Sequence, residues 1–358
     1  LGQGRSLPSF KTTPESVDVY ALLDQMRRNE CGQAVMEVSS HGLDQHRVEA
    51  LRYQAAVFLN LTPDHLDYHQ GMETYFQAKK RLFSGELGCP PSLAVIHLDD
   101  PYGQRLLAEL PSGTQAITFG THPQAHLRAV DIVLSAQGSQ FVIEATPIDG
   151  GGSSTVERIA VHTPLLGSYN VANVLASCAV CWGLGHSLSA IASHVPHFPG
   201  VPGRMERIDC GQPFSVLVDY AHTPDGLQSA LSMLRGITPG RLLAVFGCGG
   251  NRDVGRRKGM TAVAQALADL TWATADNPRR ESLDAIFADM RTGVTQPDRI
   301  HFVPDRRDAI AQALAAAQPG DCVVLCGKGH ENFQEYGDCA LPFDDRQVAR
   351  QCLEELRG

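Results

Sequence analysis

The chain has 358 residues, of which 43% are apolar and 19% charged. That length accommodates two or three domains of ~100–200 residues, and the apolar share supports buried cores and argues against a disordered chain. Thirty basic against thirty-nine acidic side chains leave a formal charge of −9, which speaks against broad electrostatic binding to nucleic acid or to an anionic membrane.

No apolar run reaches the ~18 residues of a bilayer span, and the opening residues do not read as a signal peptide. The expectation is a cytoplasmic monomer. The chain begins at Leu1 without an initiating Met, and a missing front end is expected. Ten cysteines are scattered along it, and Cys178 and Cys181 form a C-x-x-C inside an apolar helical run with no second pair to complete a zinc site. Core packing of reduced thiols is the expectation.

In chain order, residues 17–29 and 72–83 carry helical periodicity, and residues 34–38, 55–61 and 93–97 predict strands. Such alternation implies an α/β fold with a mostly parallel sheet and crossover helices. Between about 116 and 161 the runs 116–119, 129–134, 140–144 and 159–162 stand between Gly, Ser and Pro clusters and predict antiparallel strands added to that sheet. Helical text returns at 170–184. Two Pro-Gly pairs precede Arg204 and predict a boundary, dividing the chain into 1–203 and 204–358. The second part alternates strands 214–219, 242–246, 271–275 and 322–326 with helices 224–234, 260–267, 282–291 and 307–317, a second, Rossmann-like α/β domain.

In open α/β sheets ligands gather at the carboxyl ends of strands, so the loops there are informative. After 34–38 stand Glu37, Ser39, Ser40, His41, Asp44, Gln45, His46 and Arg47; after 55–61 stand Asp64, His65, Asp67 and His69. The first group reads as a polar turn with a helix N-cap or as a functional strand end, and the second as caps and surface charge or as a sparse site for a hard divalent ion. On the following helix Met72, Tyr75, Phe76, Lys79, Leu82 and Phe83 form one apolar stripe, so Lys79 is directed inward while Lys80 and Arg81 are expected to point away. An inward lysine is costly unless paired, neutralised or snorkelling.

In the second part, Gly247, Gly249 and Gly250 follow a strand and would admit an anionic group close to the backbone. The turn satisfies neither G-x-G-x-x-G nor G-x-x-x-x-G-K-[ST], which weakens a dinucleotide-dependent oxidoreductase. Arg252 and Arg279 could clamp carboxylates while Asp276 and Glu331 hold an ammonium, an arrangement suited to a zwitterionic amino acid.

Seven ordered blocks carry a resemblance: Glu37 to Gly42, Asn60 to Asp67, Gly167 to Asn173, Gly203 to Glu206, Asp219 to Pro224, Asp276 to Arg279, and Gly327 to Glu331. Together they resemble the Mur ligases of peptidoglycan synthesis, in particular those that add a third amino acid, over nearly the whole chain. The resemblance implies a central ATPase domain followed by a C-terminal amino-acid-binding domain. It also implies ATP and Mg²⁺ as co-substrate and cofactor, with UDP-MurNAc-L-Ala-D-Glu and meso-diaminopimelate as substrates.

On this resemblance Glu37 and His65 would ligate Mg²⁺, and Lys79 would be carbamylated, the three forming the catalytic group. Thr12, Thr13, Ser39, Gln45 and Arg47 would hold UDP-MurNAc-L-Ala-D-Glu, and Asn170, Asn173, Arg204 and Asp219 would contact ATP from an inter-domain cleft. Arg252, Asp276, Asn277, Arg279, Gly327 and Glu331 would bind diaminopimelate, with Arg279 taking the second carboxylate that lysine lacks. The chain departs from the family in lacking a uridine-binding first domain and the Gly-Lys-Thr phosphate loop, so weak ATP binding and little turnover are expected of it as it stands. A lysine-adding ligase and a non-catalytic relative that binds nucleotide-sugar peptide are the alternatives.

Overall fold

The computed structural model describes residue 7, residues 11–147 and residues 156–357. Most of the Gly/Ser cluster expected ahead of the run 159–162 lies outside the described residues. The chain divides into two compact units. The first comprises Leu1–Ile132, Phe141–Val161 and Tyr169–Val195; the second comprises Val133–Gln140, His162–Ser168 and Pro196–Gly358.

The first unit is built from α1 (Ser16–Arg28), α2 (Ser40–Asp44), β1 (Ala55–Phe58), α3 (Leu66–His69), α4 (Met72–Ser84), β2 (Leu93–His97), α5 (Pro101–Ala108) and β3 (Gln115–Gly120), followed by β4 (Leu127–Ser135), β5 (Gly138–Ala145), β6 (Glu157–Thr163), α6 (Ser168–Gly183) and α7 (Leu188–His194). The strands form one sheet in chain order. β1, β2 and β3 are parallel, with Ala55 opposite Leu93 and Leu93 opposite Gln115. The first four residues of β2 are buried, as a strand covered on both faces should be. Phe76 and Phe83 of α4 pack with Phe58, Ile96 and Leu106 to form the core beneath the loops of interest.

Two expectations are corrected here. Residues 34–38 form no strand: Val35 is 98% exposed, and the segment is instead held by side-chain bonds, the Thr13 hydroxyl donating to the Glu37 carbonyl and accepting from Ser39 N–H. Apolar, β-branched text alone therefore overstated its pairing. The run 116–119 is not antiparallel; it continues the parallel sheet as β3, and β4 also starts parallel to it at Phe119 opposite Leu127. Only two residues join β4 to β5, a connection that antiparallel strands alone permit. On α4, Lys80 pairs with Glu109 at 2.7 Å and Arg81 lies 3.6 Å from Glu86.

The second unit contains β7 (Glu206–Arg207), β8 (Ser215–Asp219), α8 (Pro224–Ile237), β9 (Leu242–Cys248), α9 (Gly255–Leu267), β10 (Leu270–Ala275), α10 (Leu283–Arg291), β11 (Ile300–Phe302), α11 (Arg306–Ala316), β12 (Cys322–Cys326), the hairpin β13 (Phe333–Tyr336) and β14 (Cys339–Pro342), and α12 (Asp345–Glu355). The main sheet runs β11-β10-β9-β12-β8-β7, parallel except for β7. Helices α8, α9 and α10 cover one face and α11 and α12 the other. β12 is inserted between β9 and β8; α8 and α9, which follow these neighbours, cover one face, whereas α12, which follows β12 and the hairpin, covers the other, so the crevice at the carboxyl end of β12 is a topological switch point.

All ten cysteines are free thiols, with Cys178 buried as expected of a core residue. No helix among the described residues is long and apolar enough to cross a membrane.

Candidate functional site

In the first unit the polar loops meet around α2, α3 and α4. Ser39 caps α2 by accepting from Gly42 N–H at 3.0 Å, which aims the helix start and His41 at the α3 loop. His65 sits in the left-handed region at φ 53, and its ring packs edge-on against His41 with centroids 4.9 Å apart. His69 turns inward: it is buried, pairs with the Ser40 hydroxyl at 2.8 Å and stacks on Tyr75 at 4.9 Å. Burial, with the neighbouring cationic groups, holds the pKa of His41 and His69 below the usual imidazole value.

Lys79 has its ammonium 5.3 Å from the Tyr75 ring centroid and, among the described residues, no hydrogen-bonding or ion-pairing partner. Burial lowers its pKa, and the fields of Glu37 and Asp64 only partly oppose that. The lysine is thus the one basic residue of its helical segment without an acid at contact distance: Lys80 and Arg81 both have one. Among the described residues no three His, Cys, Asp or Glu side chains converge into a metal cage. Glu37 and Asp64, whose fields reach Lys79, are oxygen-bearing groups of the kind a hard divalent cation takes in small number, with water or phosphate filling the rest of its shell.

Thr13, Gln45 and Arg47 are brought together. Arg47 donates to the Thr13 carbonyl at 2.9 Å and to the Gln45 side-chain oxygen, while Gln45 donates to Tyr68, whose hydroxyl donates to Asp44 at 2.7 Å. Thr12 is exposed beside this chain of bonds. Asn170 and Asn173 stand about one turn apart near the start of α6 and hydrogen-bond at 3.1 Å.

In the second unit the expected residues occupy the switch-point crevice. Asp276 directly follows β10, is buried, and faces Gly327; a Cβ at Gly327 would lie 2.6 Å from its carboxylate, and φ of +113 there suits glycine. Burial raises the Asp276 pKa, with Arg306 and Lys328 opposing the shift. Asn277 donates to Glu331 at 3.0 Å, and its oxygen accepts from Lys328 and from Glu335 N–H. Arg279, at φ 52, donates to the Gly250 carbonyl at 3.0 Å and pairs through Nε with Glu335 at 2.7 Å. Arg252 is exposed at the rim, with no ion pair among the described residues.

Asp219 is tied differently. Its two oxygens accept from Met205 and Ala221 N–H, each at 2.9 Å, so one role of this carboxylate is to order the loop carrying Arg204. The Arg204 guanidinium lies 4.8 Å from the Tyr220 ring centroid, and Tyr220 also contacts His330.

Several participants escaped sequence reasoning. Lys328 is fully buried and bonds Glu331 at 2.9 Å, although it stands inside a block whose neighbours were singled out. Arg306 forms a fully buried pair with Asp345 and donates to the carbonyls of Ala275 and Cys326, the last residues of β10 and β12. Buried Arg257 pairs with Glu281 and Asp289 and reaches the Gly249 carbonyl. Helical periodicity marks such residues as surface; only the loops packed over them reveal otherwise.

Residues 2–181 match the Mur ligase middle domain and residues 203–329 match the Mur ligase, glutamate ligase domain. A relative from Solibacter usitatus, named UDP-N-acetylmuramoyl-L-alanyl-D-glutamate–2,6-diaminopimelate ligase, is 42% identical over 352 residues, covering 98% of this chain and 69% of its own. A protein of the same name from Gloeobacter violaceus is 45% identical over 356 residues, covering 99% of this chain and 70% of its own. The chain therefore spans about 70% of the length of these relatives. A solved structure of that ligase superposes with a TM-score of 0.71 at 36% identity, covering 98% of this chain and 71% of the solved one. With both domain models matched in order and identity of this level along almost its full length, the chain belongs to the Mur ligase family.

Proposed function

We propose that the chain serves peptidoglycan synthesis as an ATP-dependent amide ligase joining meso-diaminopimelate to UDP-MurNAc-L-Ala-D-Glu. The observation that carries this reading is the pairing of cations and acids at the switch-point crevice. Arg279 and Arg252 match two carboxylates, and Asp276 and Glu331 match ammonium groups. The names and coverage of the relatives support the same substrates.

In the reaction, the ATP γ-phosphoryl group passes to the side-chain carboxylate of the D-glutamate, giving an acyl phosphate and ADP. The diaminopimelate amine then attacks the acyl carbon, a C–N bond forms and phosphate leaves. Such transfers depend on positioning and charge neutralisation. Residues 1–203 form the ATPase part and 204–358 the amino-acid-binding part in this reading. Thr12, Thr13, Ser39, Gln45 and Arg47 hold the nucleotide-linked peptide; Asn170, Asn173, Arg204 and Asp219 contact ATP. Glu37 and His65 would hold Mg²⁺, which when bound neutralises phosphate charge.

Lys79 adds CO₂: its neutral amine attacks the carbon, a C–N bond forms and a proton is released, leaving a carbamate anion. Burial supports this by disfavouring the ammonium. Asp276, Asn277, Gly327 and Glu331 orient the incoming amine, and Arg279 with Arg252 takes the carboxylates. The setting is the cytoplasm, where the chain works as a monomer, and neither nucleic acid nor membrane is a partner.

The test is product formation from UDP-MurNAc-L-Ala-D-Glu, ATP and Mg²⁺ with either meso-diaminopimelate or L-lysine. Tripeptide is expected with diaminopimelate, at the low turnover expected of the chain as it stands; equal yields with lysine would overturn the assigned selectivity.

A further inference from the structure

Arg279 does not stand alone at the rim of the crevice. Its backbone is zipped to the hairpin: Arg279 N–H donates to the Glu335 carbonyl at 2.9 Å and Gly337 N–H donates to the Arg279 carbonyl at 2.7 Å. Its guanidinium is held twice more, Nε by the Glu335 carboxylate at 2.7 Å and Nη1 by the Gly250 carbonyl at 3.0 Å. Glu335 in turn is fixed from behind, because its own N–H donates to the Asn277 side-chain oxygen at 3.0 Å.

A guanidinium offers a carboxylate two bidentate edges, the side edge through Nε and Nη2 and the end through Nη1 and Nη2. The Glu335 carboxylate lies 2.7 Å from Nε as an ion pair, and its negative charge keeps a second carboxylate away from the side edge. What remains is the end-on fork, held at a set angle by the Gly250 carbonyl. We infer that Glu335 is a specificity-determining positioning residue, which leaves Arg279 a single way to receive the distal carboxylate of a dicarboxylic diamino acid and so makes the site sensitive to the stereochemistry at that distal carbon.

This inference rests on the reading of the crevice as the diaminopimelate site, and it goes beyond it. Charge attraction by Arg279 separates diaminopimelate from lysine whichever edge is used. Discrimination between meso- and LL-diaminopimelate, which carry the same charges, requires the fork to be held.

The experiment is calorimetric titration of the 358-residue chain and of its Glu335→Ala and Glu335→Gln variants with meso-diaminopimelate, LL-diaminopimelate and L-lysine. The wild type is expected to favour the meso isomer over LL by about tenfold or more, Glu335→Ala to fall to within about twofold, and Glu335→Gln, which keeps the bulk of the side chain without its charge, to lie between. Preference for diaminopimelate over lysine is expected to survive in both variants. A purely structural role would weaken all ligands alike, and that result, or an unchanged isomer ratio in Glu335→Ala, overturns the inference. Should Glu335→Ala fail to fold, Glu335→Gln carries the ratio. Absence of meso-diaminopimelate binding in the wild type would instead overturn the reading of the crevice, and this inference with it.

Discussion

Two lysines show how the same residue is made tolerable inside a protein by different means. Lys328 is fully buried and paired, bonding Glu331 at 2.9 Å and Asn277 at 3.3 Å. Lys79 is half-buried and has an aromatic face and distant carboxylates but no contact partner among the described residues. A depressed ammonium pKa makes the neutral amine available at lower pH than for a solvated lysine, so carbamate formation should persist to correspondingly lower pH and be lost below that value. Native mass analysis of the Lys79 peptide should show one added CO₂, and Lys79→Ala should abolish tripeptide formation; a bare lysine together with full activity in Lys79→Ala would contradict the assignment. At this scale Lys79 was legible from its place on an apolar helical stripe, whereas Lys328 was not, because a Gly-Lys-Gly loop has no periodicity to say which way a side chain turns.

A second prediction at this scale concerns acid. Glu281 accepts from Arg257 and from Asn251 N–H, which lowers its pKa from the ordinary 4.5 to about 2. A depressed carboxylate contributes stability that is complete above its unfolded pKa and lost as pH falls through its folded value. Between pH 4.5 and about 2 the wild type should therefore lose more stability than Glu281→Gln, as read from urea midpoints along that pH series. Parallel curves for the two proteins would contradict it.

Among the elements, the loops at the carboxyl ends of β9, β10 and β12 are held by ion pairs from beneath. Arg306 and Asp345 are both fully buried, and Arg306 bonds the terminal carbonyls of β10 and β12. Removing one partner of a buried pair leaves an uncompensated charge, so Arg306→Ala should cost about 3–5 kcal/mol. The check is a lowered urea midpoint at constant slope. Gly250 shows the same closeness of packing: a Cβ there would collide with the Pro278 carbonyl. Gly250→Ala should consequently displace Arg279, whose Nη1 uses the Gly250 carbonyl, and reduce meso-diaminopimelate affinity more than ATP affinity in paired titrations.

Strand and helix positions were well marked where the burial pattern was strong. Residues 93–97 and 322–326 coincide with β2 and β12, both almost wholly buried. Residues 34–38 carry similar apolar text, yet Ala34, Val35 and Glu37 are exposed and the run forms no ladder, since a strand needs a partner as well as a composition. The hairpin of β13 and β14 went unrecognised because its second strand is exposed throughout and shows no alternation. With it went Glu335, whose importance arises only from its closeness to Arg279.

For the molecule as a whole, the alternation of strands and helices was enough to anticipate two α/β units, each with its own core. Sheet order was not legible, because the insertion of β12 between β9 and β8 depends on contacts distant in sequence. That insertion creates the crevice in which Asp276, Asn277, Arg279, Gly327 and Glu331 meet. Thiol chemistry follows the burial map as well: burial pushes the Cys178 thiol up to about 12, whereas Cys339 is exposed on β14. Alkylation of the folded chain at mildly alkaline pH should label Cys339 early and Cys178 only after unfolding, as peptide mapping would show; early labelling of Cys178 would contradict the packing of α6.

The central claim is that the switch-point crevice recognises a dicarboxylic diamino acid through Arg279. Titration of wild type and Arg279→Ala with meso-diaminopimelate and L-lysine tests it most directly. The account predicts that wild type binds diaminopimelate strongly over lysine and that Arg279→Ala loses this preference, while retaining the fold. Equal binding of the two amino acids by the wild type, or an undiminished preference in Arg279→Ala, would contradict it.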